Sequence, residues 1–334
     1  MRRREFLWLL GCGVAAGWPR WLSAQQASKI YRVAIVSPST PVSEITETNV
    51  VYGAFFGELR RLGYVEGQNL AVDRYSGEGR LEHYREVVSA VIRSNPDAVF
   101  AFATELALEF KAQTATIPIV AGTYDPLAVG IVPSLARPGG NITGVDGDAG
   151  LQTWTKRLGL LKEAIPTLSR IGMLIVPTLI GRRGAVVLKE ASDKIGVALV
   201  EVPLDSPFDE KAYRRAIATL VQEGAEAIYV SAQYENWTHQ QLIVDLARRQ
   251  GLPTICGTEG FAEMGGLMGY TPDWPDALRH AADQVDQILK GTKPGDIPVY
   301  QGTKFHFAIN LKTAKVLGIG IPASLLAQAD EVIE

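Results

Sequence analysis

Short apolar runs alternate with amphipathic stretches along this chain, and the pattern is clearest in its first half. The run at 117–120 has no polar alternation, which is typical of a strand buried on both faces of a parallel sheet. The pattern predicts strands at 31–36, 69–75, 98–103, 117–120 and 141–145, and helices at 43–61, 82–94 and 105–113. Strand and helix in alternation indicate a doubly wound, parallel α/β sheet.

The second half of the chain repeats this plan. Its pattern predicts helices at 151–164, 184–195, 209–222 and 237–250, and strands at 171–176, 198–202, 227–230 and 253–256. The segment 170–177, RIGMLIVP, is similar to 32–38, RVAIVSP, because each is an apolar strand that ends at a proline loop. Two such halves in tandem predict two lobes with a cleft between them. Extended segments at 268–270 and 304–310, separated by a helix at 277–289, are expected to cross between the lobes.

The stretch 116–145 contains a strand, a rim loop, a helical turn and an exit. Ligands of open parallel sheets bind outside the carboxyl ends of the strands, so Thr123, Tyr124 and Asp125 are expected on the rim of a cleft. Asp125 has a second interpretation, because an aspartate followed by proline also caps the start of a helix. Likewise, Ser43 and Thr104 are expected to cap the helices that follow them.

The candidate ligand-binding residues lie just past the predicted strands or, for Tyr270, on a crossing segment. Hydroxyls and helix N-terminal amides suit a carboxylate, Asp and Glu suit an ammonium, and tyrosines suit an apolar or aromatic body. Each position taken alone has an alternative role as a cap or turn residue, so the hypothesis rests on their convergence. The set is Ser39, Thr40, Thr104, Glu105, Tyr124, Asp125, Thr178, Tyr234, Glu235, Thr258, Glu259 and Tyr270. We assign Trp154, Trp237 and Trp274 to packing.

Several separated blocks of the sequence resemble one family. They are RRREFL at 2–7, LGYVEGQNL at 62–70, DPLAVGIVPSLARPGGNITG at 125–144, GGLMGYTPD at 265–273 and INLKTAKVLGIGIPASLL at 309–326. The chain resembles the substrate-binding protein family of ABC transporters, whose best-known members bind tryptophan and related amino acids. The loop 176–180 departs from the family pattern, and so does Glu259, where many relatives carry arginine. The ligand is therefore argued from the residues of this chain.

The resemblance implies a type I periplasmic-binding fold, that is, two doubly wound parallel-sheet lobes joined by three crossing strands. It implies one lobe at 30–146 plus 268–298 and another at 147–267 plus 299–334, after a signal peptide at 1–24. The expected partners are a small-molecule ligand and an ABC permease and ATPase at the inner membrane. Neither catalysis nor a cofactor is expected. A ligand-sensing subunit of a membrane receptor remains the alternative function.

The N-terminus is typical of an export signal, with Arg2–Arg4, an apolar region at 6–17 and the small-residue cleavage site Leu22-Ser23-Ala24. It also resembles a twin-arginine signal, which predicts a periplasmic protein. The alternative is a lipoprotein signal, with the lipid on Cys12. Cleavage after Ala24 would remove four arginines and one glutamate and change the formal charge from −3 to −6.

That acidic balance argues against nucleic acid as a partner, because phosphate contacts require a basic surface. The length of 334 residues predicts about two domains, and we expect a monomer. Cys256 is expected in the core. The histidines show no metal-ligand spacing, and they are His83, His239, His280 and His306. The first strand is not followed by a G-x-G-x-x-G motif, which argues against a Rossmann-type enzyme.

The charges of the rim predict the class of ligand. Four acidic side chains follow strand ends, whereas the basic residues nearest such loops are Arg182 and Arg183. A purely anionic ligand would be repelled, so we expect an amino-acid zwitterion with an apolar or aromatic side chain. Its ammonium is expected on Asp125, its carboxylate on Ser39, Thr40 or Thr104, and its side chain against Tyr124, Tyr234 or Tyr270.

Overall fold

Two mostly parallel β-sheets with helices packed on them form this protein. The structure is a computed structural model, which describes residues 29–49, 51–147, 150–204 and 208–334. The strands are β1 Tyr31–Ser37, β2 Leu70–Ser76, β3 Ala98–Phe102, β4 Ile119–Thr123, β5 Ile142–Asp146, β6 Arg170–Ile175, β7 Ala198–Pro203, β8 Ala227–Val230, β9 Thr254–Cys256, β10 Met268–Pro272, β11 Tyr300–Gln301, β12 Phe305–Asn310 and β13 Glu331–Ile333.

The helices are α1 Gly53–Arg61, α2 Tyr84–Ser94, α3 Thr104–Gln113, α4 Gln152–Ala164, α5 Leu179–Lys194, α6 Glu210–Gln222, α7 Tyr234–Thr238, α8 Gln240–Arg249, α9 Trp274–Leu289, α10 Leu311–Val316 and α11 Ala323–Leu326. None of these helices, taken over the described residues, is long and apolar enough to cross a membrane. The predicted export signal and Cys12 lie outside the described residues.

The first sheet has the strand order β11-β5-β4-β3-β1-β2 and the second has the order β13-β12-β10-β9-β8-β6-β7. All pairs are parallel except β10 with β12. We call the first sheet with the helices on it lobe 1 and the second sheet with its helices lobe 2. The predicted fold class, two doubly wound lobes, is confirmed.

The chain passes between the two sheets after β5, after β10 and again after β11. The segments 268–270 and 304–310, which we predicted to be crossings, instead form β10 and β12 within the second sheet. One crossing lies at 272–274, where β10 ends, and the next lies at 301–305, between the end of β11 and the start of β12. The residue boundaries of the lobes stay a prediction.

Two predicted helices begin earlier than expected, α5 at Leu179 and α9 at Trp274, and two others are shortened or divided. The helix predicted from residue 43 begins only at Gly53, because Asn49 Oδ1 accepts hydrogen bonds from the Val51 and Tyr52 amides at 2.9 and 3.3 Å. Ser43 instead lies in a short 3₁₀ turn. The helix predicted at 237–250 is divided at His239 into α7 and α8.

The interior of each sheet follows the apolar pattern. Val33, Ile35 and Phe100 pack against α1 and α9 in lobe 1, and all three are fully buried. Cys256 is fully buried at the end of β9 in lobe 2, which confirms its predicted place in the core. Trp154 is buried beside Gly184 and Tyr229, so its assignment to packing is also confirmed.

Gly144 holds β5 close to β4. A Cβ at this position would lie 1.9 Å from the Ala121 carbonyl oxygen, and the backbone φ is 155°. We expect Gly144→Ala to lower the free energy of unfolding by at least about 2 kcal/mol, because the two strands must separate to admit the methyl group. Urea unfolding followed by circular dichroism measures this loss.

The matched control for that variant is Gly159→Ala, on the exposed face of α4. No atom lies within 4 Å of a Cβ at Gly159, so the same change there should raise the free energy of unfolding by up to about 1 kcal/mol. Equal unfolding midpoints for the two variants would contradict the packing described for Gly144.

Candidate ligand-binding cleft

A cavity lies between the two lobes, at the carboxyl ends of their strands. Its free volume is about 920 Å³ when the open solvent at its edge is included, and about 100 Å³ of this space admits the centre of a water-sized sphere. Lobe 1 supplies the segment 102–105, which joins β3 to α3, and the start of α9 at 274–278. Lobe 2 supplies 232–237, after β8, and 258–259, after β9.

The structure brings seven of the predicted site residues together in this cavity. They are Thr104, Glu105, Tyr124, Tyr234, Glu235, Thr258 and Glu259. Thr104 is not the helix cap that we predicted, because it lies inside α3 and its Oγ1 accepts the Tyr124 amide hydrogen bond at 3.1 Å. That contact fixes the rim loop of β4 against the first turn of α3.

Asp125 lies outside the cavity lining and closes its own turn. Its Oδ1 accepts the Ala128 amide at 3.0 Å, its own amide donates to Asp146 Oδ1 at 3.1 Å, and its φ is 44°. These contacts agree with the capping interpretation of Asp125. We therefore do not retain Asp125 as the partner of a ligand ammonium.

Tyr270 also lies outside the cavity lining. Its ring is stacked on Phe305, with 5.1 Å between the centroids and 3° between the planes. Antiparallel pairing of β10 with β12 places Tyr270 opposite Phe307, so its side chain packs within lobe 2. We do not retain Tyr270 as a ligand contact.

Three predicted hydroxyl residues have partners within the protein. The Thr40 amide donates to Ser37 Oγ at 2.9 Å, and Thr178 Oγ1 caps α5 by accepting the Gly181 amide at 3.3 Å. Gln233 Nε2 also donates to Thr178 Oγ1, at 2.6 Å. The Ser39 hydroxyl donates to the Tyr234 hydroxyl and so joins lobe 1 to a residue of the cavity wall in lobe 2.

Aromatic rings that sequence reasoning did not select form much of the cavity wall. Trp274 makes edge contacts with Phe102 and Tyr124 in lobe 1, at centroid distances of 5.0 and 5.6 Å. Trp237 makes an edge contact with Tyr234 in lobe 2, at 5.4 Å. Trp237 and Trp274 therefore pack on neighbouring rings, as predicted, and they also line the cavity. A signal was available, since both stand within the first turns of helices that follow strands.

Two carboxyl groups face the cavity from opposite lobes. Glu105 lies in the first turn of α3, and its Oε1 is buried with no hydrogen-bond partner among the described residues. Burial raises the pKa of the Glu105 carboxyl, although its own amide and the Thr178 hydroxyl oppose the shift. Glu235 lies in the first turn of α7 and is 8% exposed. Burial raises the pKa of Glu235 to about 7 against the effect of its own amide, and repulsion from Glu105 adds to the rise.

The lobes are closed on each other in this structure. Besides the Ser39–Tyr234 contact, Ile180 of lobe 2 is 3% exposed and packs into the apolar cluster of lobe 1 that contains Leu106 and Ala121. A buried cavity with both lobes in its wall is thus a property of the closed arrangement.

This architecture and cavity agree with the family resemblance. Residues 39–333 match the sequence model of the family described as ABC transporter substrate binding protein. The chain belongs to this family. Substrate-binding proteins of this family are extracytoplasmic, and they bind solutes rather than act as enzymes.

Among curated proteins, this substrate-binding protein is similar to a tyrosine-binding protein of Clostridioides difficile strain R20291. The two are 25% identical over 265 residues, which cover 79% of this chain and 75% of that protein. Among solved structures, it is similar to a conserved domain protein of Vibrio cholerae, with a TM-score of 0.82, 24% identity and coverage of 91% of this chain and 100% of that chain.

A second solved structure is the ABC domain of Streptococcus pneumoniae in complex with L-Trp. Its TM-score is 0.80 at 24% identity, with coverage of 91% of this chain and 99% of that chain. Likeness at this level of identity shows the fold that the two proteins share.

Proposed function

We propose that this substrate-binding protein captures an apolar or aromatic amino acid between its two lobes and delivers it to an ABC importer. The observation that carries the proposal is the cavity walled from both lobes by aromatic rings and carboxylates. Only a ligand that contacts both lobes favours the closed form. The aromatic rings suit the body of the ligand, and the carboxylates suit its amine.

The named relatives support the aromatic class. One relative is a tyrosine-binding protein, and another was solved with L-Trp. Because identity to both is low, the ligand of this chain is argued first from its own cavity. Export by residues 1–24, a periplasmic location, a monomeric state and partnership with a permease and an ATPase belong to the same proposal.

Titration calorimetry with phenylalanine, tyrosine, tryptophan and leucine tests this function. We expect binding of at least the aromatic amino acids with one ligand per chain, and mass spectrometry should recover the ligand unchanged. Absence of binding by all four, or chemical conversion of the ligand, would contradict the proposal.

A blocked cavity provides the control. Ala103 lines the cavity just before α3, whereas Ala112 is exposed near the end of the same helix. Ala103→Trp should abolish the heat of binding and Ala112→Trp should leave it unchanged, with thermal melts confirming that both variants fold. Retention of binding by Ala103→Trp would place the ligand elsewhere.

A further inference from the structure

The charged groups of the cavity are of one sign. Glu105, Glu235 and Glu259 all line it, and among the described residues in its wall none is Lys, Arg or His. Arg182 and Arg183, the basic residues predicted nearest to the rim, are exposed, and the Arg182 guanidinium donates to the Pro177 carbonyl. A ligand carboxylate therefore meets negative charge without a cationic side chain in the cavity wall to hold it.

One buried guanidinium packs beside Gly257, next to the cavity-lining residues Thr258 and Glu259. Arg157 is fully buried behind Gly257, where a Cβ would lie 2.3 Å from the Arg157 Cζ. Its Nε donates to the Tyr270 carbonyl at 2.8 Å, within lobe 2. Arg157 thus packs against the loop after β9, and it is not among the residues that line the cavity.

A positive group fits the cavity on two independent counts. Glu105 Oε1 is buried without a hydrogen-bond partner among the described residues, and an ammonium supplies the donor that it lacks. The faces of Trp, Tyr and Phe rings also attract cations, and rings of all three kinds line the same space. The backbone amides at helix N-termini can still bind a ligand carboxylate, but each such terminus adds little to the binding free energy.

We propose that the cleft recognises an arylalkylamine, a singly charged amine with an aromatic body, whose ammonium lies between Glu105 and Glu235. The carboxylate of an amino acid is not required for binding in this arrangement. This inference rests on the proposed function, since it concerns the same cavity and the same closure of the lobes. It deepens that function by making the ammonium the charge on which selection depends.

Calorimetry with tryptophan, tryptamine and indole-3-propionate at pH 8 separates the two charges of the ligand. We expect tryptamine to bind at least as tightly as tryptophan. Where the acidic side chains of the cavity repel the carboxylate of tryptophan, tryptamine should bind about tenfold more tightly. Indole-3-propionate, which lacks the amine, should bind more weakly than either.

The outcomes distinguish this inference from the proposed function. If tryptophan binds and tryptamine binds at least tenfold more weakly, the inference is overturned while capture of an aromatic amino acid stands. If neither compound binds, the inference is overturned, and the proposed function is overturned as well only when phenylalanine, tyrosine and leucine also fail to bind. Glu105→Gln should weaken tryptamine binding about a hundredfold, whereas Glu86→Gln, on the exposed face of α2, should leave it unchanged. Equal affinity of these two variants for tryptamine would also overturn the inference.

Discussion

Replacing Glu235 by glutamine should weaken binding of an aromatic amine-bearing ligand roughly a hundredfold at pH 8, and replacing Glu105 should do the same. Each change preserves the shape of the side chain and removes one of the two carboxyl groups that face the cavity. A buried ammonium that loses a charged partner bears much of its desolvation cost. Calorimetry with tryptophan measures the loss, and the exposed Glu86→Gln again serves as the control.

Removing the amine from the ligand should weaken binding as much as removing one carboxyl group from the protein. Indole-3-propionate should therefore bind the wild type roughly a hundredfold more weakly than tryptophan, and Glu235→Gln should reduce that difference. Equal affinity of the wild type for the two compounds would show that the carboxylates do not recognise an amine.

The dependence on pH gives this prediction a second readout. Burial raises the pKa of Glu235 to about 7, so the side chain is neutral at low pH and ionised at high pH. An ammonium prefers the ionised form, so affinity should rise with pH through about 7 and level off above it, with a slope of up to about tenfold per pH unit below. In Glu235→Gln the affinity should no longer rise with pH. An unchanged pH profile in this variant would show that another group causes the rise in affinity.

The unliganded protein should respond to pH in the opposite sense. The pKa of Glu235 in the folded protein is raised above its ordinary 4.5, so the stability that protonation supplies is present below that value and is lost as pH rises through about 7. The free energy of unfolding should fall by at most about 3 kcal/mol over this range of pH. The fall is smaller when the lobes open, because opening exposes Glu235 to water. Glu235→Gln should accordingly melt at a higher temperature than the wild type at pH 8.

The apolar pattern of the sequence placed the strand ends well enough to find Glu105, Tyr234 and Glu235, because these residues directly follow buried strands. It could not place Tyr270, whose direction depends on the antiparallel pairing of β10 with a strand more than thirty residues later. Pairing between distant segments fixes register, and a local pattern carries no information about it.

The aromatic wall was missed for a different reason. A tryptophan at the start of a helix is compatible with packing and with a binding surface, and only the approach of the second lobe decides between them. Trp274 and Trp237 belong to different lobes, and they line the same cavity in this structure. The role of Asp125 was undecided for a local reason, since its φ of 44° and its contact with Ala128 arise from the turn itself.

Ligand binding should convert the protein from an open to a closed arrangement. Closure brings the Glu105 and Glu235 carboxyl groups of the two lobes towards one cavity, and repulsion from Glu105 contributes to the raised pKa of Glu235. An ammonium between the two groups favours closure, as does the Ser39–Tyr234 contact between the lobes. A shift from mostly open to mostly closed requires the ligand to bind the closed form about 10⁴-fold more tightly.

The three crossings, after β5, β10 and β11, are where such a movement can occur, because they alone link the two sheets along the described chain. Hinged lobes move as rigid bodies about a few connecting residues. The secondary structure of both sheets should therefore be the same before and after binding, so circular dichroism should not change when the overall dimensions do.

Small-angle X-ray scattering at pH 8, with and without saturating tryptophan, shows whether the two lobes close around the ligand. We predict a smaller radius of gyration in the presence of tryptophan and no change for Ala103→Trp, whose cavity is filled. An unchanged radius of gyration for the wild type, at a tryptophan concentration that calorimetry shows to be saturating, would contradict capture between closing lobes.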